Sequence, residues 1–341
     1  MYACAFKQEV GNMDASSEVY LQEQLQDRRR KLVLAASQSR ENTHILDLLQ
    51  EVDAALGRIN KGLFGLCESC HEPIEADRLL ADPLLRFCLD HLTDAEQRAL
   101  EQDLGLASQI QTGLLPKSHL HISGWEVAYH YEPAGLVSGD YCDLIATQTG
   151  DLYFLLGDVS GKGVAASMLM AHLHAIFRTL IPLGFSVEEM MTRANSLFCE
   201  STTASSYATL ACGRADRKGG IEICNAGHCP PRLVRSGPVE KVEPTSLPLG
   251  LFCSGEFSTR SMVLYDGDVL LLFTDGLSEA TDPSGQEYGE NRLVAQLLAH
   301  HTLPPERLVE TCWNDLKSYR AGAARTDDVT IMVLKRKGEI Q

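Results

Sequence analysis

One stretch decides the fold of this chain: residues 152–163 read Leu152-Tyr153-Phe154-Leu155-Leu156-Gly157-Asp158-Val159-Ser160-Gly161-Lys162-Gly163. A short apolar run that ends in turn residues indicates a buried strand. The residues from about 164 to 180 then follow a helical pattern. The sequence therefore predicts a strand over residues 152–156, followed by Asp158 and a turn that leads into a helix.

Two familiar glycine-rich sites are excluded by their spacing. A phosphate-binding P-loop has four residues between its first glycine and its Gly-Lys pair, then Ser or Thr; here three residues separate Gly157 from Gly161, and Gly163 follows Lys162. A serine nucleophile elbow needs glycine two residues before and after the serine. Asp158 and Lys162 hold those positions around Ser160, so the aspartate is the more informative residue.

Three further aspartate motifs accompany Asp158: Ser138-Gly139-Asp140-Tyr141, Thr274-Asp275-Gly276 and Thr326-Asp327-Asp328-Val329-Thr330. An isolated Asp-Gly is usually a turn, but several of these motifs adjoin strongly apolar strands. Converging carboxylates repel one another unless a cation neutralises them, and oxygen ligands select Mg²⁺ or Mn²⁺. Two such ions about 3.5–4 Å apart can activate water for attack on a phosphoryl group. The four motifs predict a metal centre.

The residues from Trp125 onward predict an α+β fold. Turn signals separate short β-rich runs at 125–131, 152–156, 207–211, 220–224, 233–235, 261–264, 269–273 and 329–334, and helical patterns cover 164–180, 187–200, 290–300 and 305–320. Mostly hairpin-linked strands with grouped helices favour a sandwich of antiparallel sheets over a doubly wound parallel sheet.

The first third of the chain is predicted to be helical around a cysteine-bearing module. Ile45, Leu48, Val52, Ala55 and Ile59 recur at the spacing of one helix face. The resulting division is a flexible tail (1–15), a helical hairpin plus cysteine module (16–92) with a break near 37–42, a linker helix (93–118) capped by Thr93 and ended by Pro116, and the β-rich domain (119–337).

The cysteine module carries a zinc-binding pattern. Cys67 and Cys70 are separated from Cys88 and His91 by 17 residues, and two close pairs at such a distance complete a tetrahedral site. A thiolate-rich site without an open position is structural. His71 and His44 are alternative fourth ligands. The cysteines elsewhere are interpreted as small apolar core residues: Cys142, Cys199, Cys212, Cys224, Cys229, Cys253 and Cys312.

Composition narrows the class of protein further. The 341 residues carry a formal net charge of −16, which argues against nonspecific nucleic-acid binding, since such binding needs basic residues. No apolar run approaches the roughly 20 residues of a membrane span, and the first residues show no apolar signal region. A cytoplasmic protein with free or metal-bound thiols is expected.

Residues 58–70 (Arg-Ile-Asn-Lys-Gly-Leu-Phe-Gly-Leu-Cys-Glu-Ser-Cys), with Ile74, Arg78-Leu79, Ala81, Pro83 and Cys88, resemble the DksA/TraR-type zinc finger. That family places its finger after a helical hairpin, as here. Two positions depart from it: His91 replaces the usual cysteine, and His71 replaces a glycine. The hairpin tip at 36–42 lacks the spaced acidic pair of members that act on RNA polymerase.

Residues 108–335 resemble the PPM-type (type 2C) Ser/Thr protein phosphatases of the SpoIIE/RsbU-like bacterial branch. The resemblance rests on Gln109-x-x-x-Leu-Leu-Pro116, Val137–Asp143, Gly157–Gly163 with Ala165-Ala166, Asn225-Ala226-Gly227-His228, Phe273–Ala280 and Asp327-Asp328-Val329-Thr330. It implies an αββα sandwich, in which two antiparallel sheets flanked by helices hold two Mg²⁺ or Mn²⁺ ions.

The resemblance also implies roles for single residues. Asp158 bridges the two metals, Asp140 holds one, Asp275 and Asp327 hold the other, and the carbonyl of Val159 adds a ligand. Asp328 is the alternative to Asp327 if the register differs by one. Lys162 either neutralises phosphate or is an exposed loop lysine, and His228 is expected to be structural.

The function implied is hydrolysis of a phosphoserine or phosphothreonine protein, with a STAS-type anti-sigma-factor antagonist as the usual substrate of this branch. The zinc finger would act as a sensor or docking element, and the linker helix would form a homodimer. Two alternatives stay open: a regulator that binds a partner without turnover, and a regulator of the transcription machinery acting through the finger.

Overall fold

The computed structural model describes residues 15–38, 43–75, 78–79, 82–92, 94–202, 206–235, 238–323 and 325–338. The predicted tail, most of the predicted hairpin tip, Ala81 and the Thr93 cap lie outside these ranges. The chain divides into two compact units, with the boundary between Gln102 and Asp103.

The first unit begins with two helices, α1 (Ala15–Gln38) and α2 (Thr43–Asn60). Val52 and Ala55, on the predicted apolar face of α2, are fully buried. Arg29 of α1 donates to Asp53 of α2 at 2.5 Å, so the two helices lie side by side. One apolar cluster joins them to the cysteine module, and its buried members are Leu21, Leu25, Val52, Ala55, Phe64, Cys67, Ile74, Leu79 and Cys88.

The helix α3 spans Asp94–Leu114 and ends just before Leu115 and Pro116, as the sequence indicates. The apolar spacing along this helix, with Leu100, Leu104, Ala107 and Leu114 on one face, is compatible with either Ile110 or Gln111 facing inward. Gln111 faces inward, with 6% of its surface exposed, whereas Ile110 is 59% exposed. The buried amide of Gln111 donates to the Ser138 carbonyl at 2.7 Å and accepts from the Ser138 N–H at 2.9 Å, an interaction that apolar periodicity cannot reveal.

Two antiparallel sheets form the second unit. One has the strand order β1-β2-β11-β10-β7-β8 and the other the order β3-β4-β5-β6-β9. The strands are β1 (His119–Ile122), β2 (Trp125–Glu132), β3 (Asp140–Ala146), β4 (Leu152–Val159), β5 (Ala208–Ala215), β6 (Gly220–Ala226), β7 (Arg232–Val234), β8 (Glu240–Lys241), β9 (Arg260–Val263), β10 (Val269–Phe273) and β11 (Val329–Arg336).

Helices flank both sheets. They are α4 (Gly163–Leu180), α5 (Val187–Ser201), α6 (Asp275–Ser278), α7 (Glu290–His300) and α8 (Pro305–Arg320). The apolar faces of α4 and α5 share a core with the five-stranded sheet, α7 and α8 share one with the six-stranded sheet, and a third core fills the space between the sheets. The predicted αββα sandwich is confirmed.

Three strands were not predicted: β1, β3 and the two-residue β8. The strand β3 matters most, because it carries Asp140 and Asp143, both of which are buried. Buried carboxylates are unfavourable in a strand unless they are paired or hydrogen-bonded. The charged partner of Asp143, Arg178, and the threonine partners of Asp140, Thr274 and Thr330, come from distant segments, so the local sequence gives no sign of them.

The segment Gly163–Leu183 is long and apolar enough, by length and composition alone, to cross a membrane, with a mean hydropathy of 1.4. The apolar runs considered in the sequence did not single it out. Met170, Leu173 and Phe177, all on α4, are fully buried in the core against the five-stranded sheet. Such burial is typical of the core helix of a globular domain.

Candidate functional site

Three of the predicted metal-binding aspartates, Asp158, Asp275 and Asp327, line one cavity of the second unit. Asp140 and Asp158 lie opposite each other in the β3–β4 ladder, and one residue, Thr274, separates Asp275 from the end of β10. The cavity has a volume of about 280 Å³. Its lining residues are Asp158, Val159, Ser160, Gly161, Lys162, Tyr207, Thr209, Gly227, Cys229, Asp275 and Asp327. The structure thus brings together Asp158, Val159, Asp275 and Asp327, four of the five residues expected to hold metal.

The electrostatics of the cavity fit divalent cations. Burial raises the pKa of Asp158 to about 7, and the charges of Asp275, Asp327 and Asp328 add to the effect. Burial and the charge of Asp327 also raise the pKa of Asp275. Carboxylates that disfavour one another's ionisation are neutralised when a cation binds among them. Because the side-chain donors are carboxylate oxygens, the set suits Mg²⁺ or Mn²⁺.

Asp140 is placed differently from the other three. It is 1% exposed and does not line the cavity. Its Oδ2 accepts hydrogen bonds from Thr274 Oγ1 at 2.9 Å and from Thr330 Oγ1 at 2.5 Å. Burial raises its pKa well above the ordinary value, and the charge of Asp158 contributes. Its role as a metal ligand stays a prediction.

The neighbouring aspartates 327 and 328 have distinct surroundings. Asp327 lines the cavity, whereas Asp328 accepts from the Ala134 N–H at 2.7 Å through Oδ1 and from the Gly139 N–H at 2.8 Å through Oδ2. Asp328 therefore fixes the loop that leads into β3. This geometry favours Asp327 over Asp328 as the metal ligand.

Gly276 allows the segment that carries Asp275 to lie close to the segment that carries Asp327 and Asp328. A Cβ placed there would lie 2.0 Å from the carbonyl oxygen of Asp328 and 3.2 Å from the Cβ of Asp327. No side chain fits at such distances, so the glycine of the Thr-Asp-Gly motif allows Asp275 and Asp327 to share the cavity.

His228 has structural surroundings. It is 3% exposed, and its ring Nδ1 lies 2.9 Å from Thr209 Oγ1. Its backbone N–H donates to Asn225 Oδ1 at 2.9 Å. Burial lowers its pKa to about 4, so the ring is neutral at pH 7. The side chain braces the turn at Gly227, which has a positive φ of 68°.

Sequence reasoning missed several lining residues. Thr209 and Tyr207 belong to a run that was interpreted only as a strand. Cys229 and Cys253, both predicted to be core residues, are not: Cys229 is half-buried and lines the cavity, and Cys253 is exposed. The position of Cys229, directly after the Asn225–His228 motif, was the signal that could have placed it at the site.

The cysteine module of the first unit forms a compact ligand cluster. The ligand atoms of Cys67, Cys70, Cys88 and His91 all lie within 4.8 Å of one another. The Cys70 and Cys88 sulfurs are 3.8 Å apart, which matches the edge of about 3.8 Å expected for a tetrahedron with Zn–S bonds of about 2.3 Å. His91 presents Nδ1 at 3.2 Å from Cys88 Sγ. The residues fit zinc. His71 is not among the clustered residues, and the side chain of His44 lies outside the part of the chain that the structure describes.

The thiolate form is favoured at Cys67 but not at Cys88, where burial and the neighbouring Cys67 and Cys70 thiols raise the pKa to about 12. Burial works against it at Cys67, but backbone N–H groups of Cys88, Cys70 and Ser69 outweigh burial and lower the pKa of that thiol to about 6. A thiolate is the form of cysteine that binds metal.

Replacing one ligand is expected to abolish zinc binding. Cys88→Ser should reduce bound zinc from about one ion per chain to near zero and expose the module to protease, because structural zinc contributes about 10–16 kcal/mol to the folding of small modules. Zinc content by mass spectrometry and limited proteolysis measure both effects. Cys253→Ser, at an exposed cysteine, is the control. Stoichiometric zinc in Cys88→Ser would contradict the ligand assignment.

The site and the fold agree with known proteins. The prokaryotic dksA/traR C4-type zinc finger matches residues 62–96; its fourth cysteine is represented here by His91. Among curated relatives, Protein IcfG of Synechocystis sp. is 25% identical over 69% of this chain and 41% of its own length. Phosphoserine phosphatase RsbP of Bacillus subtilis is 27% identical over 70% of this chain and 58% of its own length. The chain thus spans about half the length of these relatives.

The solved SiaA-PP2C domain of Pseudomonas aeruginosa superimposes with a TM-score of 0.62 at 19% identity and covers 71% of this chain and 99% of that domain, which shows a shared fold. The Stage II sporulation protein E (SpoIIE) family matches residues 148–337, a range that contains Asp158, Asp275 and Asp327. Since this match covers more than half of the chain, and since fold and site geometry agree with it, the protein belongs to the SpoIIE family of PP2C-type phosphatase domains.

Proposed function

We propose that this protein is a metal-dependent protein serine/threonine phosphatase. One observation carries the proposal: Asp158, Asp275 and Asp327 converge on one cavity, although they come from both sheets and are far apart in sequence. Two Mg²⁺ or Mn²⁺ ions would be held by the carboxylates of Asp158, Asp275 and Asp327, together with the backbone carbonyl of Val159 and the carboxylate of Asp140. Such ions polarise a phosphoryl group and lower the pKa of water.

The remaining residues position these groups. Thr274 and Thr330 hold Asp140 from the opposite sheet, and Asp328 fixes the backbone at Gly139. Both contacts join the two sheets at the site. A fixed arrangement of the catalytic groups favours phosphoryl transfer, because catalysis of this reaction depends on positioning and electrostatic stabilisation.

The substrate we propose is a phosphoserine or phosphothreonine protein, namely a STAS-type anti-sigma-factor antagonist. The family membership and the phosphoserine phosphatase RsbP among the relatives support this choice. The zinc-finger module would control the phosphatase, and α3, on which Leu106 and Ile110 are exposed, would form a homodimer. We propose the cytoplasm as the compartment, and we propose neither a nucleic acid nor a membrane as a partner.

Metal dependence tests the activity. Full-length protein, freed of loosely bound metal by a mild chelator that leaves zinc in place, is assayed with para-nitrophenyl phosphate and with phosphoserine, phosphothreonine and phosphotyrosine peptides. We expect turnover only after Mn²⁺ or Mg²⁺ is added, with the phosphotyrosine peptide poorest. A phosphorylated STAS-domain protein should be the best substrate. Folded protein that binds Mn²⁺ but hydrolyses none of them would favour the partner-binding alternative.

A further inference from the structure

Lys162 is the cation among the described residues that line the catalytic cavity. Its Nζ donates to Asp327 Oδ2 at 2.9 Å and to the Thr326 carbonyl at 2.8 Å. The ammonium group thus lies beside one of the carboxylates that would hold metal. A cation in this position competes with a metal ion for the same oxygen.

The surroundings of Lys162 leave room for its side chain to move. Gly161 and Gly163, on either side, have positive φ values of 96° and 71°, and a Cβ at either position would have no neighbour within 4 Å. The Lys162 side chain is 68% exposed. A lysine side chain has several rotatable bonds and moves at little cost from one hydrogen-bond partner to another when both are within reach.

The cavity needs such a cation when substrate enters. A phosphate monoester brings about two negative charges to a cavity whose other charged lining residues are Asp158, Asp275 and Asp327. Like charges within one cavity repel one another strongly when they are partly shielded from water. A bound metal ion neutralises the carboxylates. It also releases Lys162 from Asp327, because a carboxylate oxygen that coordinates a metal ion is a weaker hydrogen-bond acceptor for the ammonium group.

We propose that Lys162 alternates between two anions. Without metal it pairs with Asp327 and holds the place of a cation at the carboxylate cluster; with metal bound it donates to an oxygen of the substrate phosphate. This inference rests on the proposed function, whose metal site and substrate it uses, and it assigns Lys162 as a phosphate-binding residue of this site.

The proposal predicts two effects of opposite sign for Lys162→Met. Mn²⁺ should bind about two- to fivefold more tightly, the size expected from losing an exposed ion pair. Inorganic phosphate should bind to the Mn²⁺-loaded protein about 10- to 100-fold more weakly, since a charge-assisted hydrogen bond is lost. Isothermal titration of the full-length, zinc-containing protein measures both constants. Neither measurement needs turnover, and misfolding would weaken both.

Two further variants sharpen the test. Lys162→Arg should keep most of the phosphate affinity, because it keeps the charge. Lys218→Met, at an exposed lysine in the β5–β6 turn, should change neither constant. If the wild type hydrolyses phosphopeptides, Lys162→Met should raise KM more than it lowers kcat.

The outcomes separate the two proposals. Unchanged Mn²⁺ and phosphate affinities in Lys162→Met, with an active wild type, would overturn the role of Lys162 and leave the phosphatase intact. A wild type that binds Mn²⁺ and phosphate without turnover would overturn the phosphatase and leave Lys162 to be judged on binding alone. A wild type that does not bind Mn²⁺ would overturn both.

Discussion

Asp158→Asn is expected to lower metal-dependent turnover by at least about 1000-fold, which corresponds to about 4 kcal/mol of transition-state stabilisation. Asp158 lies near the end of β4, opposite Asp140 in the β3–β4 ladder, and lines the cavity together with Asp275. Asparagine keeps the shape of the side chain but removes the charge that would hold metal. Steady-state kinetics with saturating Mn²⁺ and Mn²⁺ titration of the variant measure the two consequences.

The loss should not come from unfolding. Burial and neighbouring carboxylates raise the pKa of Asp158 to about 7, so its ionised form opposes folding at and above neutral pH when no metal is bound. Removing the carboxylate should leave the metal-free protein at least as stable as the wild type in thermal unfolding at pH 8.

A matched control lies at the other end of the same strand. Asp151 precedes β4 and is not among the cavity-lining residues, so Asp151→Asn should keep nearly full activity. If Asp158→Asn retained more than about a tenth of the wild-type turnover, the assignment of Asp158 as a metal ligand would be wrong.

The sequence was most informative where a segment's neighbours along the chain define its environment. The β4 run before Asp158 and the β10 run before Asp275 are apolar and are bounded by turns, and both strands are buried as predicted. The zinc ligands could be selected because a tight turn brings each ligand pair together. In such cases spacing along the chain is also spacing in the folded protein.

The sequence was less informative where tertiary contacts compensate an unfavourable residue. The strand β3 carries buried Asp140 and Asp143, whose arginine and threonine partners lie between 35 and 190 residues away along the chain. The choice between Asp327 and Asp328 likewise depends on the Ala134 and Gly139 N–H groups. Those two hydrogen bonds, and not the local sequence, determine which of the two adjacent aspartates faces the cavity.

Arg178→Ala should destabilise the second unit by about 3 kcal/mol, because it leaves the carboxylate of Asp143 buried without its main partner. Asp143 is fully buried, and Arg178 donates to it twice, from Nε at 2.8 Å and from Nη2 at 2.6 Å. The value lies at the low end of the range for breaking a buried pair, since Arg178 is 42% exposed and His174 stays 3.8 Å from the carboxylate.

Urea denaturation followed by tryptophan fluorescence measures this loss. The two tryptophans of the chain, Trp125 and Trp313, both lie in the second unit, so their signal reports that unit. Arg307→Ala, which removes an exposed pair with Glu310 on α8, should cost less than about 1 kcal/mol.

A double-mutant cycle identifies the cause. Asp143→Asn removes the buried charge, so Arg178→Ala should cost much less in the Asp143→Asn background than in the wild type. Equal costs in both backgrounds would mean that Arg178 stabilises α4 through packing of its stem and not through Asp143. A large coupling would show that the unpredicted strand β3, which places Asp140 opposite Asp158, depends on a charge pair to stay in the sheet.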